Sequence, residues 1–229
     1  MFRNNFKILS VGGSIIIPPT GFDIAFLKKF RKLIIDQTKR GQRFILVIGG
    51  GATCRTYQKG LRDAIHPTDE ILDWMGIYTT QFNAEFVRLL FGNYAHKEVV
   101  INPTNKLITN KPIIIAAGWQ PGTSTDGDTV LLAKTYGAKE LINLSNIDYV
   151  YTADPRTNPH AKKLERLTWP ELRKIVGNKW TPGANVPFDP VAATTAEKLK
   201  LTVKFVKGTN LPALTNALKG GILRGSIIS

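Results

Sequence analysis

Three glycine-bearing turns and two aspartates carry most of the chemistry that can be read along this chain. The turns are Gly12-Gly13-Ser14, Gly49-Gly50-Gly51, and the loop Trp119, Gln120, Pro121, Gly122, Thr123, Ser124, Thr125. Each follows a short apolar run. Main-chain N–H groups at a helix start, with hydroxyls beside them, suit phosphate. Glycine lets a backbone approach a ligand closely. Three consecutive glycines cost backbone entropy, so close ligand approach explains Gly49 to Gly51 better than a plain turn does. Arg55 falls in the first turn of the helical pattern that follows and can point the same way. Asp126 comes directly after the third turn, and Asp73 opens a long helical segment. A polar loop, Ser145, Asn146 and Asp148, leads to Tyr151-Thr152-Ala153-Asp154-Pro155. One Gly/Ser/Thr loop alone is a weak signal. Two delivered to the same end of one sheet are far more specific, because open α/β sheets bind ligands at the carboxyl ends of their strands.

The elements that position these groups follow from hydrophobic periodicity. Residues 6–11, 44–48, 113–117, 141–144 and 202–206 read as strands, and 222–228 as a closing strand. Residues 98–101 and 107–109 read as short strands near the sheet edge. Helical patterns cover residues 23–40, 52–64, 73–94, 129–136, 170–176, 190–199 and 211–218. Asp23 is suited to cap the first of these, with Ile24, Leu27, Phe30 and Ile34 on its apolar face. Ile77, Phe82, Phe86, Leu89 and Leu90 have core spacing. Asp73 and Asp126 each have a plain reading as helix caps. Residues 156–167 read as a hairpin or extended arm, and 181–185 as a loop. Strand alternating with helix gives an α/β chain with a mostly parallel sheet.

At 229 residues, one large domain is the expectation. No apolar run is long enough for a membrane span, and a cytoplasmic address is the default. The formal charge of +14 invites a nucleic-acid reading. The basic residues are spread along solvated helix faces, however, and no interleaved aromatic signature accompanies them. The single cysteine, Cys54, excludes an internal disulfide. His66 and His96 are isolated, and no His/Cys metal spacing occurs.

The spacing of Gly12-Gly13-Ser14, Gly49-Gly50-Gly51 with Arg55, Asp73 ahead of Gly76-Ile77, Pro121-Gly122 with Thr125-Asp126, and Asn146-Ile147-Asp148 before the Tyr151 to Pro155 stretch resembles the amino-acid-kinase superfamily. Within it, the chain is most similar to the archaeal-type uridylate (UMP) kinases. The resemblance runs through almost the whole chain. It implies a three-layer αβα sandwich with a central, mostly parallel sheet. It also implies an acceptor-binding lobe over about residues 1–140 and an ATP-binding lobe over about 141–229. By the same resemblance, Gly13, Ser14, Gly51, Arg55, Ser145, Tyr151 and Asp154 contact ATP. Gly50, Asp73 and the loop from Trp119 to Thr125 hold UMP. Asp126, Arg55 and Lys162 serve catalysis, with Mg2+ carried by the nucleotide phosphates. A homo-oligomer, a hexamer in the family, is expected, with no membrane or nucleic-acid partner. The family offers other acceptors (isopentenyl phosphate, carbamate, acetylglutamate) and non-catalytic oxyanion-binding relatives. The isopentenyl phosphate kinases carry a histidine just after the glycine run, where this chain has Ala52-Thr53-Cys54-Arg55. Four positions depart from the family pattern. Ser10 stands where a lysine is common, Ser124 where Thr is usual, Gly127 where Ala is typical, and Tyr149 where Gly is usual. A positive φ would strain a tyrosine at position 149.

Overall fold

A computed structural model describes residues 6–179 and 186–229 of the protein. The loop expected over 181–185 lies outside the described residues. In chain order the elements are β1 (Phe6–Val11), α1 (Gly13–Ile16), α2 (Ile24–Lys39), β2 (Arg43–Ile48), α3 (Gly51–Ala64), α4 (Asp69–Phe91), β3 (Ile113–Ala116), α5 (Thr125–Tyr136) and β4 (Glu140–Ser145). Then follow β5 (Val150–Tyr151), β6 (Lys163–Leu164), β7 (Arg166–Leu167), α6 (Trp169–Val176), α7 (Pro190–Lys198), β8 (Thr202–Lys207), α8 (Leu211–Lys219) and β9 (Ser226–Ile228). Seven strands form one sheet in the order β3-β2-β1-β4-β8-β9-β7. Its pairs are parallel except β8 with β9. The β5–β6 pair is a separate antiparallel hairpin.

Strand alternation sorts the core into two layers. Leu9, Val11, Leu46, Ile48, Ile113, Ile115 and Leu144 face α2, α4 and α8, where Phe30, Ile34, Val87 and Leu214 meet them. Ile8, Ile45, Val47, Ile114, Leu141 and Phe205 face the opposite way, toward Val130 and Ala133 of α5, Leu172 of α6 and Ala193 of α7. The result is helices on both faces of a mostly parallel sheet, as the sequence implied. Each fully buried large side chain contributes about 1.5–3 kcal/mol of transfer energy.

Caps set the helix starts. Asp23 accepts from the Phe26 N–H and Asp189 from the Ala192 N–H. Thr168 and Glu171 form a reciprocal capping box on α6. Several expectations need correction. α4 begins four residues before Asp73, because Thr68 caps it. α5 begins at Thr125, because Ser124 caps it, so Asp126 is no cap. Phe82 and Leu89 are not core: they are 73% and 63% exposed, while Ala84, Val87 and Phe91 supply the buried face. Ile24 is likewise exposed at the first turn of α2. Residues 98–101 and 107–109 form no strands. Single bridges from Ala95 and Val100 to β3 cover that edge instead. The closing strand is only Ser226–Ile228. Tyr149 has no positive φ, so the feared strain is absent.

Candidate functional site

The five neighbouring parallel strands β3, β2, β1, β4 and β8 end on one rim. The chain steps outward from β1 to β2 and β3 on one side, and from β4 to β8 on the other. The order therefore reverses between β1 and β4, which opens a crevice at their carboxyl ends. Main-chain bonds tie the loops there to neighbouring strands. The Gly12 N–H donates to Leu144 O (3.0 Å), that of Gly49 to Val11 O (3.0 Å), and that of Gly208 to Ser145 O (2.8 Å).

The first two glycine turns touch each other. A Cβ on Gly13 would lie 2.3 Å from Gly49 O and from Gly51 N. Gly51 has φ +62, and its Cβ would lie 2.4 Å from the Gly13 carbonyl carbon. Contact between two main chains by itself demands glycine at these positions, a reason that the sequence-based reading of the run did not include. The same contact brings the two helix starts side by side. Arg55, exposed on the first turn of α3, spans them, with Nη2 donating to Ser14 Oγ at 3.0 Å. It makes no ion pair among the described residues, so its charge is available to an anion.

One small cavity, about 170 Å3, lies beside these turns. Gly50, Gly51 and Arg55 form one wall, Asp73, Ile77 and Thr80 of α4 the second, and Thr123, Ser124 and Thr125 the third. α4 holds the other two walls in place through side-chain bonds to main chain. Asp73 Oδ2 accepts from the Gly122 N–H at 2.7 Å. Thr80 Oγ1 accepts from the Gly118 N–H at 2.8 Å. Asn83, wholly buried, donates through Nδ2 to Gly49 O (3.0 Å) and Gly50 O (3.1 Å). The third loop is pinned internally by Thr123 Oγ1 to Gln120 O, 2.8 Å. Trp119, half-buried, and Gln120, exposed, stand outside the cavity wall, as do Pro121 and Gly122.

A larger cavity, about 730 Å3, opens after β4. Ser145, Asn146 and Ile147 form its floor, Tyr151 through Arg156 one side, and Glu171, Lys174 and Ile175 of α6 another. The Tyr151 hydroxyl donates to Asp148 Oδ1 at 2.9 Å. Asp154 pairs with Arg156 at 2.7 Å, and the Arg156 side chain and N–H hold its carboxyl down to about 2. Gly13 and Ser14 lie outside its wall. So does Lys162, which is exposed on the hairpin, where its N–H donates to Thr152 Oγ1 at 3.0 Å.

Asp126 sits where the sheet order reverses. Its Oδ1 accepts from Ser10 Oγ (3.1 Å) and Asn143 Nδ2 (3.0 Å), and its Oδ2 from the Asp189 N–H (3.2 Å). All three donors are neutral. Burial, then the Asp189 carboxylate, pushes its carboxyl up to about 7, against the pull of those hydrogen bonds. The group keeps some solvent exposure at the crevice, yet protein surrounds most of it. Asp128, only 1% exposed, is pushed up to about 8 by burial, with the Trp119 N–H opposing and the Asp126 and Asp189 charges adding. Both its oxygens, and Oδ2 of Asp189, lack a hydrogen-bond partner of normal geometry among the described residues.

The structure thus gathers Gly50, Gly51, Arg55, Asp73 and Thr123 to Thr125 at one cavity, and Ser145, Tyr151 and Asp154 at the other. Sequence reasoning missed Thr80, Asn83, Asp128, Asn143 and the part Asp189 plays beyond its cap. For Asn143 a signal existed: one amide in the middle of an otherwise apolar strand.

Residues 5–207 match the amino acid kinase family. The chain is 33% identical over 219 residues to a uridylate kinase of Methanococcus vannielii, covering 93% of this chain and 95% of that protein. It is 34% identical over 190 residues to a uridylate kinase of Pyrococcus abyssi, covering 82% and 83%. The crystal structure of uridylate kinase from Archaeoglobus fulgidus has a TM-score of 0.81 to this chain at 29% identity, covering 98% of this chain and all of that one.

Proposed function

The chain belongs to the amino acid kinase family, and from that premise we propose that it is a nucleoside monophosphate kinase, moving the terminal phosphoryl group of ATP to UMP to give UDP and ADP. Relatives named uridylate kinase, matched along nearly their full length, support the acceptor. The observation that carries the reading is the pair of cavities on one sheet rim, with Asp126 and the touching glycine turns at the point where strand order reverses. The small cavity suits the acceptor, with Asp73 receiving ribose hydroxyls through the oxygen that Gly122 leaves open. The large one suits the donor nucleotide.

A nucleoside monophosphate needs no general base, since its second ionisation lies near pKa ~6 and the attacking oxygen is already anionic at neutral pH. The remaining task is to align two polyanions while charge moves between them. The N–H groups of both glycine turns, the hydroxyls of Thr123 to Thr125, and Arg55 do this by fixed geometry. Lys162, on the hairpin that walls the donor cavity, is the candidate cation for the donor phosphates. Mg2+ fits as an ion carried on phosphates. Among the described residues no His/Cys/Asp/Glu cluster is arranged to hold a metal, while Asp126 accepts hydrogen bonds from neutral donors and, when ionised, presents a negative charge that a cation on the phosphates would balance. When bound, Mg2+ would supply charge neutralisation at the phosphate oxygens, and Asp126 would serve as a balancing negative charge near it. The exposed stripe of Trp74, Tyr78, Phe82 and Leu89 on α4 supports a homo-oligomer, a hexamer by family resemblance.

The test is ADP release from Mg-ATP with UMP, CMP, isopentenyl phosphate, carbamate and acetylglutamate in turn. UMP is expected to give the highest kcat/KM. Tight ATP binding with no turnover on any acceptor would move the chain to the non-catalytic oxyanion binders.

A further inference from the structure

A polar notch interrupts the apolar sheet at its centre. Ser10 of β1 and Asn143 of β4 stand opposite each other in register. Alternation from Ile8 and Leu141 puts both on the face covered by α5, between Val47 of β2 and Phe205 of β8. They are 4% and 5% exposed. Polar groups buried there are unfavourable unless they are bonded. Both donate to one atom, Asp126 Oδ1. A charged carboxylate only accepts, so the amide nitrogen of Asn143 must be the atom that faces it. One donor would fix a distance. Two donors from adjacent strands also fix the rotation of the carboxylate plane.

The groups facing Asp126 from other elements carry no positive charge. Asp189 at the start of α7 and Asp128 on α5 itself are carboxyls, and Ser10 and Asn143 are neutral. Its orientation therefore rests on neutral donors, with no lysine or arginine holding it.

We infer that Ser10 and Asn143 are positioning residues for Asp126: they lock Oδ1 into the sheet, so that Oδ2, which accepts from the Asp189 N–H at 3.2 Å, is the oxygen left for the crevice between the two nucleotides. The inference rests on the kinase reading above for what Oδ2 meets, but not for the lock itself.

A double-mutant cycle tests it, using Asn143→Leu, Ser10→Ala and Asp126→Asn singly and combined, with kcat, KM, melting temperature and the pH dependence of kcat as readouts. Asn143→Leu is expected to lower kcat about tenfold or more with both KM values held within about threefold. It should also raise the acid limb of the kcat profile, because a donor to the charged form has been removed. In the Asp126→Asn background it should do nothing further to kcat. An equal fall in both backgrounds, or an unmoved acid limb, overturns the proposal. Ser10→Ala removes only a hydroxyl and carries the same test with a smaller drop if Asn143→Leu does not fold. Failure of the kinase reading shows separately, as no turnover in the parent chain. The lock is then read from the Asp126 carboxyl titration by carbon NMR, which each substitution should shift upward; an unchanged midpoint sinks it.

Discussion

The two cavities are built by different means. Around the small one, the α4 side chains Asp73, Thr80 and Asn83 bond directly to main chain of the two facing loops. The walls are fixed before any ligand arrives. Around the large one, Asp154, Arg156, Glu171 and Lys174 are exposed, and the hairpin wall consists of two strands of two residues each. Ser226 Oγ ties both strands of that hairpin to the sheet, accepting from the Val150 N–H at 2.9 Å and donating to Leu164 O, and the Val150 side chain packs into the core beside it. The small cavity is thus a preformed enclosure and the large one a wide cleft walled by a short hairpin, which on the proposed reading are the acceptor and donor sides. Preorganisation lowers the ordering cost of binding where the ligand is small and offers few contacts.

Asp126→Asn should produce the largest change and should not distinguish the two sides. A fall in kcat of about 10²–10³-fold with both KM values little altered is expected, from steady-state kinetics on a variant with parental melting temperature. Retained turnover would remove Asp126 from the chemistry.

Asp73→Asn sharpens the acceptor side. The KM for UMP should rise about tenfold or more, in line with a lost charge-assisted hydrogen bond, while that for ATP stays put. A matching rise for ATP would mean that the two cavities are not independently built.

Ser226→Ala addresses the donor side from the far end of the chain. Two buried main-chain groups lose their partner, so the KM for ATP should rise about three- to tenfold with UMP unaffected. If hydrogen exchange at Val150 does not quicken in this variant, the tether assigned to Ser226 is wrong.

The last effect is on stability rather than on turnover. The Asp128 carboxyl is held near 8 when folded, against about 4 in an unfolded chain. Between those values the folded state keeps a proton that the unfolded state has released, so stability falls as pH rises across that window. Asn cannot lose that proton. Asp128→Asn should therefore match its parent near pH 4 and exceed it by about 1–3 kcal/mol above pH 8, read as melting temperature against pH. Parallel curves would mean that the carboxyl is already charged throughout.

The sheet, its helices and the Ser/Thr-bearing loop were legible because each rests on local periodicity or on a glycine break. α4 was harder. Its period is clear, but Phe82 and Leu89 fall on the outward face, and nothing in a single sequence separates an apolar stripe that meets the sheet from one that does not. Residues 98–101 look like a strand by composition, yet only Val100 bridges to β3. The partners of the polar supports were illegible for another reason, even where, as at Asn143, a lone amide in an apolar strand marked the residue itself. Asn83, Thr80 and Asn143 act on main-chain or carboxylate atoms far along the chain, and such pairings exist only once the sheet is assembled. Lys162, expected near the donor phosphates from family resemblance alone, is exposed on the hairpin outside the cavity wall.

The abutting backbones at Gly13 and Gly51 also constrain how such a chain can change over time. The two helix starts are set against each other through bare peptide groups, with no side chain between them at that contact. A single added methyl at either residue acts as a wedge, displacing both halves together.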